Sequence, residues 1–522
     1  MKRIKNACFI AALACLMVLG ACKKQDGTAK ADDKFAVDST KFADFFKDHP
    51  KFKDYQKDVT ALYRKHDFHY VWYDEDGRND FAQVLYDRAR QIWIEGVPAE
   101  LPYKEQFEDL FSDDRSNPKL EKDLLISSMY FFYVKKVFGG LDPYKSKQVG
   151  WFLPRERMSY VNYLDDLLKD EDKLQKDTEE MVGMYYNLRK GLYKYRKIRD
   201  TGGWGTITLP AGTKSLKLGD TNDAVKQLRR RLFLAGDLTS DSGSNVFDAG
   251  LVSAIKSYQV RQRLEPDGKA DQALIKELNI PVESRIKTII VNMERCRWLP
   301  SDIYKAPQYI SVNIPSYSLR YVRDGKEVLQ SNVVVGKVLH ETAVFSGNIS
   351  YLVFSPYWNI PKSIVENEIN PALEKDPDYL EKHNMEWNGD QLRQRPGGEN
   401  SLGLVKFMFP NSNNIYLHDT PAKSLFNKDD RAFSHGCVRV EKARDLAIKI
   451  LDDDKNWDAQ KVDEAMHNTE EKQYPLKKKI PVYIAYFTSI ADENGNVAFF
   501  DDVYKRDAHL AHLLYKEEVS KK

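Results

Sequence analysis

The chain has little cysteine, no surplus of either charge, and almost no long apolar stretch. Five cysteines occur in 522 residues, and Cys8, Cys15 and Cys22 crowd into the first 22 positions. A disulfide framework is excluded, because a structural bridge could join only Cys296 to Cys437, and none is expected there. Lys plus Arg number 80 against 78 for Asp plus Glu, which removes any electrostatic reason to expect nucleic acid as a partner. Apart from Ala7 to Gly20, no segment reads as apolar enough to cross a bilayer. What remains is 42% hydrophobic and 30% charged, a folded chain long enough for about three units.

The apolar run is preceded by Lys2, Arg3 and Lys5 and followed by Leu19-Gly20-Ala21-Cys22, then Lys23 and Lys24. It is too short for a comfortable span and looks like a bacterial lipoprotein signal over residues 1–21, with Cys22 as the acylated first residue of the mature chain. That reading places the protein in the cell envelope, on the periplasmic side, tied to a membrane through Cys22. Residues 22–40 are polar and read as a tether.

From 41 to 215 the pattern is helical. Leu124, Leu125, Met129, Phe132 and Lys136 lie in a helix stopped by Gly139-Gly140, and Met181, Tyr185, Leu188, Leu192 and Tyr195 recur at three-and-four spacing. His69 to Tyr73 reads as buried aromatic core. Residues 216–280 form a compact three-helix unit, with Val225, Leu228 and Leu232 on one face and Leu251, Ile255 and Tyr258 on another. The run from Leu218-Gly219-Asp220 through Phe247-Asp248 to Asp267-Gly268 resembles the peptidoglycan-binding domain type 1.

After Pro300 the texture changes to strands: Tyr309–Ile314, Leu319–Val322 and Ser331–Val335, with Asp324-Gly325 as a hairpin turn. Ile349–Phe354, Ile415–His418 and Pro481–Thr488 supply more. A mainly-β domain is expected over 281–490, interrupted at about 363–410 by charged, helix-like sequence that reads as a mobile lid. Residues 491–522 form a C-terminal extension whose last helix has no chemistry of its own.

The chemistry concentrates in Ser434-His435-Gly436-Cys437-Val438-Arg439, with Tyr416-Leu417-His418-Asp419 upstream. A cysteine nucleophile needs a base, oxyanion donors, and a group that holds the substrate's charge. Cys437 supplies the thiol, and His418, at a strand end, the general base and acid. The backbone N–H groups of Gly436 and Cys437 supply the oxyanion donors, and any larger residue at 436 is expected to crowd the turn. His435 has a supporting role. Ser434 is placed to hydrogen-bond an imidazole or the substrate, and Arg439, on the thiol's face of an extended segment, suits a substrate carboxylate.

This pattern resembles the L,D-transpeptidases with a YkuD-type catalytic domain. The resemblance extends to Asn292-Met293-Glu294-Arg295, Trp298-Leu299-Pro300, Tyr357-Trp358-Asn359-Ile360-Pro361, Asn400-Ser401-Leu402-Gly403, Lys406-Phe407 and Tyr486-Phe487-Thr488, and is to the large YcbB-like branch. It implies a multidomain α+β chain: a helical scaffold, a three-helix peptidoglycan-binding module, and a mainly-β catalytic domain with a helical lid. It also implies attack by Cys437 on the third residue of a peptidoglycan stem peptide, release of D-alanine, and a thioester resolved by a neighbouring amine as a 3→3 cross-link. Tyr416 and Arg439 would help place the substrate, no cofactor or metal is implied, and cell-wall synthesis enzymes are possible partners. A hydrolase of the same chemistry, an L,D-carboxypeptidase, and a non-catalytic anchoring lipoprotein are the alternatives. Cys296 departs from the bulky residue expected at its position, and a lipid anchor is not general to the branch.

Overall fold

The computed structural model describes residues 33–112, 115–155, 158–169 and 181–519. The expected signal, Cys22 and most of the tether lie outside them. Residues 35–37, at the tether's far end, pair with the scaffold: Tyr70 N–H donates to Phe35 O at 3.0 Å and Val37 N–H to Phe68 O at 2.8 Å.

The scaffold is built around α1 (Leu120–Val134), in which every residue from Asp123 to Val134 is buried. Phe42, Phe46, Phe52, Tyr63, Trp72 and Phe107 surround it. Together with the separate short helix that follows it, Pro143–Gln148, this helix makes a stretch with the length and hydropathy of a membrane span, contrary to the expectation that no such segment follows the leader. However, 72% of that window is buried in the protein, and a helix apolar on all sides is what a core position selects. It ends at Gly140, where φ is +62° and a Cβ would lie 2.2 Å from the Glu294 carboxylate, so only glycine fits. Val71, Trp72 and Tyr73 are buried as expected of an aromatic core, whereas Tyr70 is only partly buried and His69 is partly exposed, its Nε2 2.6 Å from Asp33 Oδ2.

The second long helix, α2 (Gly183–Asp200), packs on α6 (Val282–Arg297) and shares the core of the β domain rather than that of the scaffold. Between them stand α3 (Asp223–Ala235), α4 (Ala249–Arg261) and α5 (Gln272–Leu278), capped by Asn222, Asp248 and Asp271, whose side chains accept from the third residue onward. Val225, Leu228, Leu232, Leu251, Ile255 and Tyr258 form a separate core there.

The β domain comprises β1 (Gln308–Asn313), β2 (Ser318–Arg323), β3 (Lys326–Gly336), β4 (Phe345–Phe354), β5 (Val405–Met408), β6 (Leu417–His418), β7 (Ala432–Ser434), β8 (Val438–Val440) and β9 (Lys472–Ala485). Their order is β7-β3-β8-β6-β5-β4-β9-β1-β2, and β2 also pairs with β3, so the sheet closes on itself. The turn between β2 and β3 holds Asp324 at φ +50° and Gly325 at +72°, the left-handed pair of a tight hairpin.

The insertion begins at Lys362 as short helical turns, Lys362–Leu373 and Tyr379–Lys382. Its strands Met385–Asn388 and Gln391–Gln394 form a three-stranded sheet with Trp358–Asn359, which lies just before the insertion, over a small core of Ile360, Ile364, Ile369, Met385 and Leu392. Its far boundary falls before Val405, earlier than the expected 410, because β5 pairs inside the barrel with β4 and β6.

The C-terminal helix α7 (Asp507–Val519) packs on α6: Arg295 pairs with Asp507 at 2.7 Å, and Asn292 holds the Thr488 side chain at 2.7 Å and its backbone N–H at 2.9 Å. The Asn292–Arg295 motif is thus a clamp between barrel and helix. Cys296 of α6 is fully buried and free, and burial pushes its thiol far above the ordinary range.

Candidate active site

Strand register gathers the site. On β6 and β8, which run parallel, Leu417 stands opposite Val438 and His418 opposite Arg439, while β5 sets Lys406 opposite His418 from the other side. Side chains alternate along a strand, so Tyr416, His418, Cys437, Arg439 and Lys406 share one face, with Val438 and Leu417 buried on the other. The pairing puts Tyr416 beside Cys437.

The Cys437 thiol is partly buried and free. Its Sγ–H points to Asn414 O at 3.7 Å, and the backbone and hydroxyl of Tyr416 hydrogen-bond to the sulfur. Burial raises the thiol above its ordinary value, opposed by Tyr416 and by the charges of Arg439 and Lys406. The same burial, with the neighbouring thiol, raises the Tyr416 hydroxyl well beyond its usual range, so it stays a donor.

His418 is buried, and its Nδ1 lies 2.5 Å from the Asp419 carbonyl oxygen. A carbonyl only accepts, so Nδ1 carries the proton and Nε2 the lone pair of a neutral ring. Neutrality is enforced: burial, followed by the charge of Arg439, lowers the imidazole from 6.5 to about 3. The Asp419 carboxylate faces away, accepting from Leu404 N–H at 3.0 Å and Lys423 Nζ at 2.5 Å.

Three expectations about the nucleophile turn change. Gly436 N–H, expected to face the oxyanion, donates to Ser434 Oγ at 3.1 Å, and the same Oγ donates to the Cys437 carbonyl at 2.5 Å. Ser434 therefore locks the turn and does not face a substrate or an imidazole. Nor would a larger residue crowd position 436, since the nearest atoms to an added Cβ are 3.9 Å away. Its backbone at φ +114° is what favours glycine. His435 points out of the site to the insertion, its Nε2 2.9 Å from Glu368 Oε1, with the His340 ring tilted against it at 5.3 Å.

Arg439 is mostly buried, its Nε lacks a hydrogen-bond partner among the described residues, and burial lowers its guanidinium. Lys406, also mostly buried, has its ammonium lowered by burial and lies 5.7 Å over the Tyr416 ring. Sequence reasoning passed over Lys406 as a site residue. The signal was a lysine set between Val405 and Phe407 in a strand whose other face is core. Asn414, at φ +52° in a loop, left no such trace. Among the described residues, no group of three or more His, Cys, Asp or Glu side chains is arranged to hold a metal ion.

Residues 307–473 match the family model described as the L,D-transpeptidase catalytic domain, residues 57–192 a scaffold domain, and residues 221–278 a "Putative peptidoglycan binding domain". A Haemophilus influenzae protein named "Putative L,D-transpeptidase" is 34% identical over 249 residues, covering 44% of this chain and 50% of that protein. The chain thus spans about half the length of the curated relative it matches. Solved L,D-transpeptidases from Stackebrandtia nassauensis (15% identity, 53% of this chain and 97% of that one, TM-score 0.22) and Mycobacterium smegmatis (13%, 34% and 58%, 0.20) are too distant in superposition to carry argument. Residues 307–473, which hold all of the barrel except most of β9, are a YkuD-type L,D-transpeptidase catalytic domain, preceded by a peptidoglycan-binding domain.

Proposed function

We propose that the protein is an L,D-transpeptidase that forms 3→3 peptidoglycan cross-links through a thioester on Cys437. The observation that carries this reading is the shared face of Cys437, Tyr416, His418 and Arg439 in the matched region. His418 Nε2 takes the thiol proton as sulfur attacks the carbonyl of the third stem residue, then returns it to the departing D-alanine amine. Cys437 N–H and the Tyr416 hydroxyl stabilise the tetrahedral oxyanion, and Arg439 holds a substrate carboxylate, with Lys406 on the other side of His418 adding positive charge to the same face. An amine of a second stem then displaces sulfur from the acyl group, and the energy of the first amide bond passes through the thioester to the second. Acylation of Cys22 would hold the enzyme at a membrane of the cell envelope, facing the periplasm.

Incubating the purified chain with tetrapeptide muropeptides tests this by mass spectrometry. Cross-linked dimers with loss of D-alanine are expected, together with a carbapenem adduct that disappears in Cys437→Ala. Tripeptide alone would mean that water resolves the thioester and the protein is a hydrolase. No adduct and no product would leave only an anchoring role.

A further inference from the structure

Behind the nucleophile turn runs a buried hydrogen-bond relay that the reaction itself does not use. Thr342 is fully buried between β3 and β4. Its Oγ1–H donates to the Gly436 carbonyl at 2.8 Å, and the same oxygen accepts from Gly336 N–H at 2.9 Å. Its own N–H donates to the Tyr504 hydroxyl at 3.1 Å, which in turn donates to the Gly336 carbonyl at 2.8 Å. Tyr504 N–H donates to the Tyr486 hydroxyl at 2.8 Å, and that hydroxyl donates to Asp502 at 2.6 Å. Every donor in the relay has one acceptor, and Arg506 lies over both tyrosine rings.

The consequence follows from peptide planarity. The Gly436 carbonyl and the Cys437 N–H belong to one trans peptide unit, so they point in opposite directions. Gripping the carbonyl from behind aims the N–H forward. Ser434 holds the two remaining groups of the turn, Gly436 N–H and the Cys437 carbonyl, and among the described residues the Cys437 N–H makes no hydrogen bond. We infer that Thr342, backed by Tyr504 of the C-terminal segment, is a positioning residue that aims the Cys437 N–H at the oxyanion. The inference rests on the proposed acyl-transfer function and adds to it the group that sets the donor's direction.

Two reactions of the same thiol separate the roles. Alkylation of Cys437 by iodoacetamide needs the sulfur but no oxyanion donor, whereas acylation by a carbapenem needs both. In the full chain, Thr342→Val should keep its alkylation rate within about twofold while acylation falls about 100-fold, the usual loss for one oxyanion donor. Muropeptide turnover should lose kcat with KM nearly unchanged. Thr342→Ser, which keeps the hydroxyl, should restore acylation to within about threefold of wild type, and Tyr504→Phe should lose about tenfold. Thermal denaturation run in parallel identifies the working temperature at which each variant stays folded, and Tyr504→Phe carries the test if Thr342→Val does not fold. Acylation that keeps pace with wild type in Thr342→Val, alkylation that falls with it, or failure of Thr342→Ser to rescue would each overturn the inference while leaving the proposed function standing. A wild-type chain that neither acylates nor turns over would overturn both.

Discussion

The protonation state of the resting site yields the sharpest prediction. The imidazole of His418 falls from 6.5 to about 3 because the ring is buried and Arg439 stands opposite it. At 1.36 kcal/mol per decade this is about 5 kcal/mol against the imidazolium, so at pH 7 about one ring in 10⁴ is charged. The Cys437 thiol moves the other way, above its ordinary 9.0, through burial. Cys437 and His418 therefore rest as neutral thiol and neutral imidazole, not as a thiolate–imidazolium pair. The absorbance at 240 nm of wild type minus Cys437→Ser should show no thiolate at pH 7 and should rise only above about pH 9. Because the neutral pair is itself the reactive form, the profile of kcat/KM for acylation should stay flat between about pH 5 and 8, without an inflection near 6.5. The stability linkage has a definite sign as well. The folded imidazole titrates below the unfolded one, so between pH 6.5 and about 3 the unfolded chain binds the extra proton and stability falls with falling pH, by up to about 5 kcal/mol relative to a His418→Gln variant. One thiolate per chain at pH 7, lost in His418→Gln, would refute the reasoning.

Gly436→Ala should lower unfolding free energy by about 1–3 kcal/mol through its φ of +114° and not through crowding, which denaturant titration would measure; an unchanged value would show that the turn relaxes without cost. In the scaffold, burial raises the Asp123 carboxyl from 3.8 to about 7 although Val71 and Trp72 N–H groups donate to it. The folded chain then holds the extra proton between those values, so wild type should lose about 4 kcal/mol relative to Asp123→Asn as pH rises from 4 to 8; a relative gain over that window would contradict it.

The parts of this molecule that could be read in the sequence are those with a short local period. Helical spacing exposed the buried faces of α3 and α4, and alternation exposed most of the barrel strands, because each pattern is set by neighbours within a turn or a pleat. Cys437 and His418 were legible as chemistry because few residue types can serve as nucleophile and base. The orientation of backbone groups was not legible. Gly436 looked like an oxyanion donor, but the Ser434 hydroxyl two residues earlier takes its N–H, and nothing in the composition of Ser-His-Gly-Cys says which way that hydroxyl turns. Likewise, Thr342 reaches Gly436, and Tyr504 reaches Thr342, only because the barrel closes and the C-terminal segment folds back, contacts separated by 94 and 162 positions along the chain. The hairpin inside the insertion was missed for a different reason: Met385–Asn388 and Gln391–Gln394 carry so few apolar residues that alternation gives little signal.

A neutral resting thiol has a structural consequence. If sulfur is not ionised beforehand, proton transfer to His418 and attack on the carbonyl share one transition state, and no prior charge separation stabilises it. The negative charge developing on the carbonyl oxygen then depends heavily on fixed donors, which act most strongly where water is excluded and reorganisation is small. A tight turn such as Gly436-Cys437 would supply such a donor poorly if its peptide plane could rotate. Here the plane is fixed by Thr342 on the Gly436 carbonyl and by Ser434 on the flanking groups. In the envelope location proposed for the chain, a neutral pair would also resist oxidation better than a thiolate, the form most readily oxidised. Burial that protects the thiol thus raises the demand on the oxyanion donor, and the rigid turn meets it.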